Sequence, residues 1–166
     1  MIRIGHGYDA HRFSAEADNI GIIIGGIKIS HSHSLLAHSD GDVLIHALCD
    51  ALLGSLALGD IGKHFPDTSS EFENIDSRIL LRKVMQSVSN AQYQIANVDM
   101  TIIVQSPKMS PHIEAMRLCL CEDLQIELSQ INIKATTTEK MGFTGRNEGI
   151  AAHAVVCIQS KPQTTI

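Results

Sequence analysis

Val43-Leu-Ile-His-Ala-Leu-Cys-Asp-Ala-Leu-Leu-Gly-Ser-Leu-Ala-Leu58 predicts a helix that is apolar nearly all round, so it belongs inside the molecule rather than on its surface. Asp40 or Asp42 stands where its N-cap is needed. Upstream lies the polar loop Ser30-His-Ser-His-Ser-Leu-Leu-Ala-His-Ser-Asp-Gly-Asp42. Before that come two β-branched stretches, residues 2–5 and 20–29, separated by a loop-like Ser14–Asn19. The second stretch is broken by Gly25-Gly26, which suggests a bulge or tight bend. Downstream, Gly59-Asp-Ile-Gly-Lys-His-Phe-Pro-Asp-Thr68 is too rich in breakers and polar groups for a simple spacer. A second helix is expected from Asp76 to Asn90, with Asp76 or Ser77 as cap and Ile79, Leu80, Val84 and Val88 on one face. Val98–Gln105 has strand composition and is stopped by Pro107, and Pro111 opens a third helix to about Leu124. Ile131–Lys134 and Gly149–Ile158 are the last strands. The order β-β-α-α-β-α-β-β implies an α/β (α+β) sandwich: one mixed sheet of four to five strands covered by about three helices.

A chain of 166 residues is the size of one domain. It buries roughly two thirds of its unfolded surface without help from disulfides. Residues 1–160 are expected to form that domain, with 161–166 as a frayed tail. Hydrophobic residues make up 44%, which argues against disorder, while the 4% of aromatics leaves the core to Ile, Leu, Val, Ala and Met. The net charge of -5 and the lack of any Lys/Arg run speak against nucleic acid or a membrane surface as partner. Cys49, Cys119, Cys121 and Cys157 make no C-x-x-C pair and read as reduced thiols of a cytoplasmic protein. Met1-Ile-Arg-Ile-Gly lacks the pattern of a signal peptide, and the apolar run at 43–58 contains His46 and Asp50 and is too short to cross a bilayer.

Three clusters carry chemistry. In Gly5-His-Gly-Tyr-Asp-Ala-His-Arg-Phe13, an extended backbone puts Asp9 and His11 on one face, two good ligands for a zinc-like ion. His46 sits within the apolar helix with Asp42 four residues before and Asp50 four after, all on one face. Three titratable groups in a buried helix each need a partner. A metal bound through His46, with Asp42 or Asp50 steadying the imidazole, accounts for them together. A core histidine satisfied by one carboxylate is the plainer alternative. Three protein ligands leave a fourth position open, as catalytic zinc sites require. The third cluster, Lys134-Ala-Thr-Thr-Thr-Glu-Lys-Met-Gly-Phe-Thr-Gly-Arg-Asn-Glu-Gly149, offers hydroxyl and N–H donors for phosphate and, in Glu139, a hard oxygen ligand for Mg²⁺. A solvated Thr-rich turn is its plainer reading.

These motifs, with Ala37-His-Ser-Asp-Gly-Asp-Val43, Leu58-Gly-Asp-Ile-Gly-Lys-His-Phe-Pro-Asp-Thr68 and Pro107-Lys-Met109, resemble the 2-C-methyl-D-erythritol 2,4-cyclodiphosphate synthases of non-mevalonate isoprenoid synthesis, from residue 2 to about 158. The resemblance implies a homotrimer with active sites between subunits. It implies zinc on Asp9, His11 and His46, and a second ion, Mg²⁺ or Mn²⁺, on Glu139 and the diphosphate of a cytidine diphosphate substrate. His38 and Ser39 match contacts to the phosphorylated tetritol, and His38 and Thr137 the pair that stabilises the transition state. Asp60, Ile61, Gly62, Phe65, Pro66, Asp67, Thr68 and Ser69 match the sugar and polyol pocket. Val104, Gln105, Ser106, Pro107, Lys108, Met109 and Ser110, together with Thr136, Thr137, Thr138 and Glu139, match the cytidine diphosphate pocket, with Phe143 and Arg146 at its edge. In the implied reaction the substrate's 2-phosphate attacks the β-phosphorus of its own diphosphate and expels CMP, so positioning and charge neutralisation must do the catalysis.

Ser69 stands where the family commonly has Asp, Tyr8 where Phe is frequent, and His31 and His33 match no implied role. A zinc phosphohydrolase would use the same ligands with water as nucleophile and a free general base, for which Asp40 is the candidate. A non-catalytic metal-binding assembly protein would instead close its site with a fourth ligand. Arg146 and Glu148 flank the last strand near the trimer cavity that the resemblance implies, where an Arg can hold an isoprenoid diphosphate. The alternative is that the two side chains pair with each other.

Overall fold

The most deeply buried helix lies on a strand that has glycine at two of its inward positions. In the computed structural model, which describes residues 1–66 and 74–162, β1 runs Ile2–Phe13 and α1 runs Val43–Ser55. A Cβ on Gly5 would lie 1.8 Å from the Ala51 carbonyl oxygen, and one on Gly7 1.9 Å from that of Ala47. Only glycine lets the α1 backbone come down onto β1 in this way. All the apolar residues of α1 from Val43 to Leu53 are buried, as a helix apolar on every side requires.

The main sheet has five strands. β1 pairs antiparallel with β7 (Gly149–Ser160), which pairs antiparallel with β5 (Tyr93–Ile103), which in turn pairs in parallel with β6 (Ile131–Thr136). A two-residue β4 (Leu35–Leu36) closes the other edge, giving the order β4-β1-β7-β5-β6. The parallel pair needs a crossover, which α4 (Ile113–Leu124) supplies. α3 (Ser77–Asn90) packs beside α1, and Arg78 ties it to α4 through Asp123, Nε to Oδ2 at 2.6 Å. Two short helices, α2 (Ile61–His64) and α5 (Gly142–Gly145), complete the chain. Among the described residues no helix is long and apolar enough to cross a membrane, and the four cysteines are unpaired.

Several elements differ from expectation. β1 extends to Phe13 instead of ending at residue 5, because its outward side chains His6, Tyr8 and Ala10 dilute the β-branched signal. Residues 20–29 form a separate hairpin, β2 (Ile22–Ile24) and β3 (Ile27–Ile29), turned by Gly25 and Gly26 at φ 60° and 74°. α4 starts two residues after Pro111, with His112 at the cap position.

Asp42, rather than Asp40, caps α1 and accepts from the Ile45 N–H at 3.0 Å. It also accepts from Gly25 and Gly26 at 2.9 and 2.7 Å, pinning the hairpin to the helix start. Burial pushes its carboxyl up to about 6, while these three N–H donors pull the other way.

The helices cover one face of the sheet. The other face carries Ile2 and Ile4, 68% and 71% exposed, with Tyr8 and Val155 also exposed.

Candidate active site

Because Gly7 seats on Ala47, the next inward residues of β1, Asp9 and His11, reach the first turns of α1, where His46 projects. Asp9 Oδ2 lies 3.0 Å from His46 Nδ1 and 3.6 Å from His11 Nε2. The donor atoms of all three lie within 4.8 Å of one another. The side chains of His11 and His46 are only 15% and 12% exposed.

Hydrogen bonding at the rim of this cluster turns one lone pair from each residue inward. The Ala10 N–H donates to Asp9 Oδ1 at 2.8 Å, leaving Oδ2 for the centre. His11 Nδ1 lies 2.8 Å from the Ala10 carbonyl, which only accepts, so Nδ1 carries the proton and Nε2 a lone pair. That Nε2 is buried with no hydrogen-bond partner among the described residues, a costly state for a polar atom. His46 Nε2 faces the hydroxyls of Ser77 at 2.9 Å and Ser39 at 3.1 Å, while Nδ1 faces Asp9. Burial pulls the His46 imidazolium down, but the hydrogen bond and charge of Asp9, with Asp42 and Asp40 beyond, more than offset it and raise its pKa. Two imidazole nitrogens and one carboxylate oxygen converging on an orphaned atom fit a zinc-like ion with an open fourth position.

Neither Asp42 nor Asp50 steadies the imidazole, contrary to the sequence reading. Asp42 is spent on the hairpin, and Asp50 accepts from the Ile61 N–H at 2.7 Å. Helical spacing put both on one stripe, but backbone N–H groups beyond the helix claimed them first. The group that does hold His46 is Ser77, which the sequence offered only as an alternative cap. Asp76 does the capping, accepting from the Arg78 N–H at 2.8 Å. Nothing in the sequence separates a serine that caps from one that reaches a ligand 31 positions earlier.

The residues expected to line the polyol pocket follow α1 in the chain. Asp60 caps α2 through the Lys63 N–H at 2.9 Å, Ile61 is tied to Asp50, and Gly62 and Pro66 are exposed. Phe65 is half-buried with Lys83 over its ring, and exposed His38 takes the Asn74 N–H on its carbonyl. Asp67, Thr68 and Ser69 lie outside the described residues.

The residues expected to hold the nucleotide form a second, separate group at the carboxyl ends of β5 and β6, where the Val104 N–H donates to the Thr136 carbonyl at 3.1 Å. Gln105 Oε1 takes the Lys140 N–H at 3.4 Å, and Thr137 Oγ1 donates to Glu139 Oε1 at 3.0 Å. Glu139 and Lys140 are both left-handed, at φ 52° and 65°, which costs L-residues about 1–2 kcal/mol each. Ser106, Lys108, Ser110, Thr136, Thr137 and Glu139 are exposed, Pro107 and Thr138 half-buried. Val104 and Met109 are buried in the core, with the Val104 N–H and the Met109 carbonyl already hydrogen-bonded within the chain. Phe143 is 40% exposed on α5, and Arg146 is bound by Glu148, Nε to Oε1 at 2.7 Å.

These two groups do not meet within one chain. Ala10, Ala151, Ile103 and Thr136 share one row across the sheet, three strand spacings from end to end, or about 14 Å.

The model of the YgbB family matches residues 2–159. The chain belongs to the YgbB family. It is 62% identical over 157 residues to a 2-C-methyl-D-erythritol 2,4-cyclodiphosphate synthase of Pseudomonas savastanoi, covering 95% of this chain and 98% of that one. It is also 62% identical over 156 residues to one from Francisella tularensis subsp. novicida, covering 94% and 96%. The fold matches IspF of Plasmodium falciparum in a CDP complex, with TM-score 0.85, 35% identity and 97% of each chain covered. It also matches the bifunctional IspDF of Campylobacter jejuni, with TM-score 0.93 and 40% identity over 99% of this chain. The chain spans 44% of the length of that bifunctional protein. The mixed five-stranded sheet is thus the YgbB fold, and the Asp9–His11–His46 cluster is a candidate metal centre within it.

Proposed function

We propose that this chain converts 4-diphosphocytidyl-2-C-methyl-D-erythritol 2-phosphate to 2-C-methyl-D-erythritol 2,4-cyclodiphosphate and CMP, in the non-mevalonate route to isoprenoids, as a phosphorus–oxygen lyase. The observation that carries this reading is the buried, unpartnered Nε2 of His11 beside Asp9 and His46, in a chain 62% identical to synthases of that name. Asp9, His11 and His46 would hold a divalent ion, zinc by their N₂O donor set, which when bound would supply charge neutralisation at the β-phosphate. Asp9, His11 and His46 fix where that phosphate sits. His38 and Ser39 orient the tetritol phosphate that attacks, and Asp60 to Ser69 hold the polyol. Thr136, Thr137 and Thr138, with the segment Val104 to Ser110 beside them, hold the cytidine diphosphate. Glu139 would hold a Mg²⁺ or Mn²⁺ ion, whose charge would favour departure of CMP. No side chain acts as nucleophile, because the attacking oxygen belongs to the substrate.

The working unit in this reading is a homotrimer with each active site shared between two chains. Two features support it: the exposed Ile2, Ile4, Tyr8 and Val155 on an uncovered sheet face, and the gap between the two groups of residues. Isoprenoid diphosphates are proposed as ligands of Arg146 at the cavity of that trimer.

Hydrolysis is disfavoured because the candidate base is occupied. The Asp40 carboxylate already accepts from the Ser77 hydroxyl, from the Ser77 N–H at 3.0 Å and from the Asp42 N–H at 3.2 Å. Phosphorus NMR of the products decides between the two reactions. CMP with a cyclic diphosphate is expected, and CMP with a linear bisphosphate would make the chain a phosphohydrolase. His46→Ala should keep the fold, since Ala suits a buried helix, yet lose bound zinc and nearly all turnover.

A further inference from the structure

The rim of the metal cluster contains a hydrogen-bond chain whose direction can be worked out from its members alone. Asp40 and Ser77 are in contact, Oδ1 with Oγ, across 37 positions of sequence. An ionised carboxylate has no proton to give, so the hydroxyl must donate to it. A serine hydroxyl has one proton, and once that is spent it presents only lone pairs to its other neighbours. His46 Nε2, 2.9 Å away, is such a neighbour, so Nε2 must be the donor. A neutral imidazole protonated at Nε2 carries its lone pair on Nδ1, the atom that faces Asp9 Oδ2 at 3.0 Å.

We infer that Asp40 and Ser77 are positioning residues that hold His46 in the Nε2-protonated tautomer and so make Nδ1 the metal-binding atom. The inference rests on the reading of Asp9, His11 and His46 as the metal centre. Asp40 is itself well fixed. Its other contacts are the Ser77 and Asp42 N–H groups, and its own N–H donates to the Ile75 carbonyl at 3.2 Å. The chain therefore links the starts of α1 and α3 to one ring nitrogen, and Ser77 is fully buried where it does so. The two histidines are opposite tautomers, each with its free lone pair turned inward, and His11 is set by the carbonyl of its own neighbour, Ala10. Ser39 Oγ, 3.1 Å from Nε2 and accepting from the Gly41 N–H, is a weaker second partner.

The test is zinc affinity, read by competition with a chromophoric chelator at neutral pH for wild type, Ser77→Ala, Asp40→Asn and His46→Ala. Loss of such an outer partner weakens metal binding by about 10–100-fold. Ser77→Ala should fall in that range, and excess zinc should restore its turnover, which no loss of fold would allow. Asp40→Asn frees the serine proton to point at Nε2, favouring the wrong tautomer, and should weaken zinc at least as much. Its fold is checked by the melting curve of the metal-free protein. Nitrogen-15 spectra of histidine in zinc-loaded wild type should place the His46 proton on Nε2. If wild type binds zinc and Ser77→Ala binds it equally well, or the proton lies on Nδ1, the positioning role is refuted. If wild type and His46→Ala bind zinc alike, the metal centre itself is misassigned.

Discussion

The two halves of the site are built in opposite ways. The Asp9–His11–His46 half lies between a strand and a buried helix, and every rim donor and acceptor around it has a fixed partner within the same chain. The Thr136–Glu139 half is an exposed turn at two strand ends, with Glu139 and the following Lys140 in the left-handed region and its hydrogen bonds made mostly within the turn itself. The first is a preorganised candidate site for a small ion. The second presents donors outward, toward a ligand or another chain. A chain that orders the metal tightly and leaves the nucleotide end open can accept a large substrate without loosening the site that holds the charge.

If packing sets the metal half, the most damaging change is one that lifts α1 off β1. Gly7→Ala would place a methyl 1.9 Å from the Ala47 carbonyl oxygen, and backbone cannot yield as a side chain does. A loss of about 3 kcal/mol in chemical denaturation is expected, with zinc affinity falling more than tenfold. Gly5→Ala meets Ala51 and Ser55, a turn further from His46, so it should cost similar stability but less affinity. Equal zinc affinity in Gly7→Ala and wild type would mean that helix–strand packing does not position the ligands.

The next test separates the halves without touching either. Ile4 is 71% exposed, so Ile4→Lys costs the isolated chain little, but three lysines facing one another would oppose a trimer. Light scattering should report monomers, and zinc should bind within about threefold of wild type. Turnover should drop about 100-fold or more, because a misplaced partner group alone costs that much. A monomer with full turnover would show that one chain suffices.

The metal half was more legible in the sequence than the nucleotide half. The alternation of β1 put Asp9 and His11 together before any contact was known, and a lone imidazole in an apolar helix marked His46. The register of β1 against α1 was hidden, because glycines that mark close packing look like glycines that break strands. Asp42 and Asp50 misled for a related reason: spacing tells which side chains share a face, not which backbone N–H groups from distant loops will reach them. The turn after β6 gave its residue types but not its left-handed backbone, which Glu139 and Lys140 adopt without glycine. Completion of the site between chains, as proposed, leaves no local signature, so resemblance alone pointed to it.

A milder change addresses the open half alone. Glu139→Gln keeps the shape that accepts the Thr137 hydroxyl at 3.0 Å while removing the charge a hard cation needs. Zinc content should not change. The Mg²⁺ or Mn²⁺ concentration for half-maximal turnover should rise by about tenfold or more, since losing even ~1.4 kcal/mol of ion binding is a factor of ten. An unchanged titration would remove Glu139 from the ligand set.

The smallest effect is expected where the open half ends. Arg146 and Glu148 form a two-pronged contact, Nε to Oε1 at 2.7 Å and a terminal guanidinium nitrogen to Oε2 at 3.2 Å. Each side chain is more than half exposed, so water competes for both and the pair adds little to stability. The hydrogen bond still raises the Arg146 pKa and lowers that of Glu148, which marks a real preference for the ionised pair. An isoprenoid diphosphate arriving at Arg146 must therefore displace a carboxylate that already occupies the guanidinium fork. Calorimetry with geranyl diphosphate should give weak binding to wild type, several-fold tighter binding to Glu148→Ala and none to Arg146→Ala. Melting temperatures should be indistinguishable among the three, and light scattering should find the same assembly in each. Tighter binding on losing Glu148 would make the pair a built-in competitor for the diphosphate. Equal binding by wild type and Arg146→Ala would leave Arg146 and Glu148 as partners of each other only.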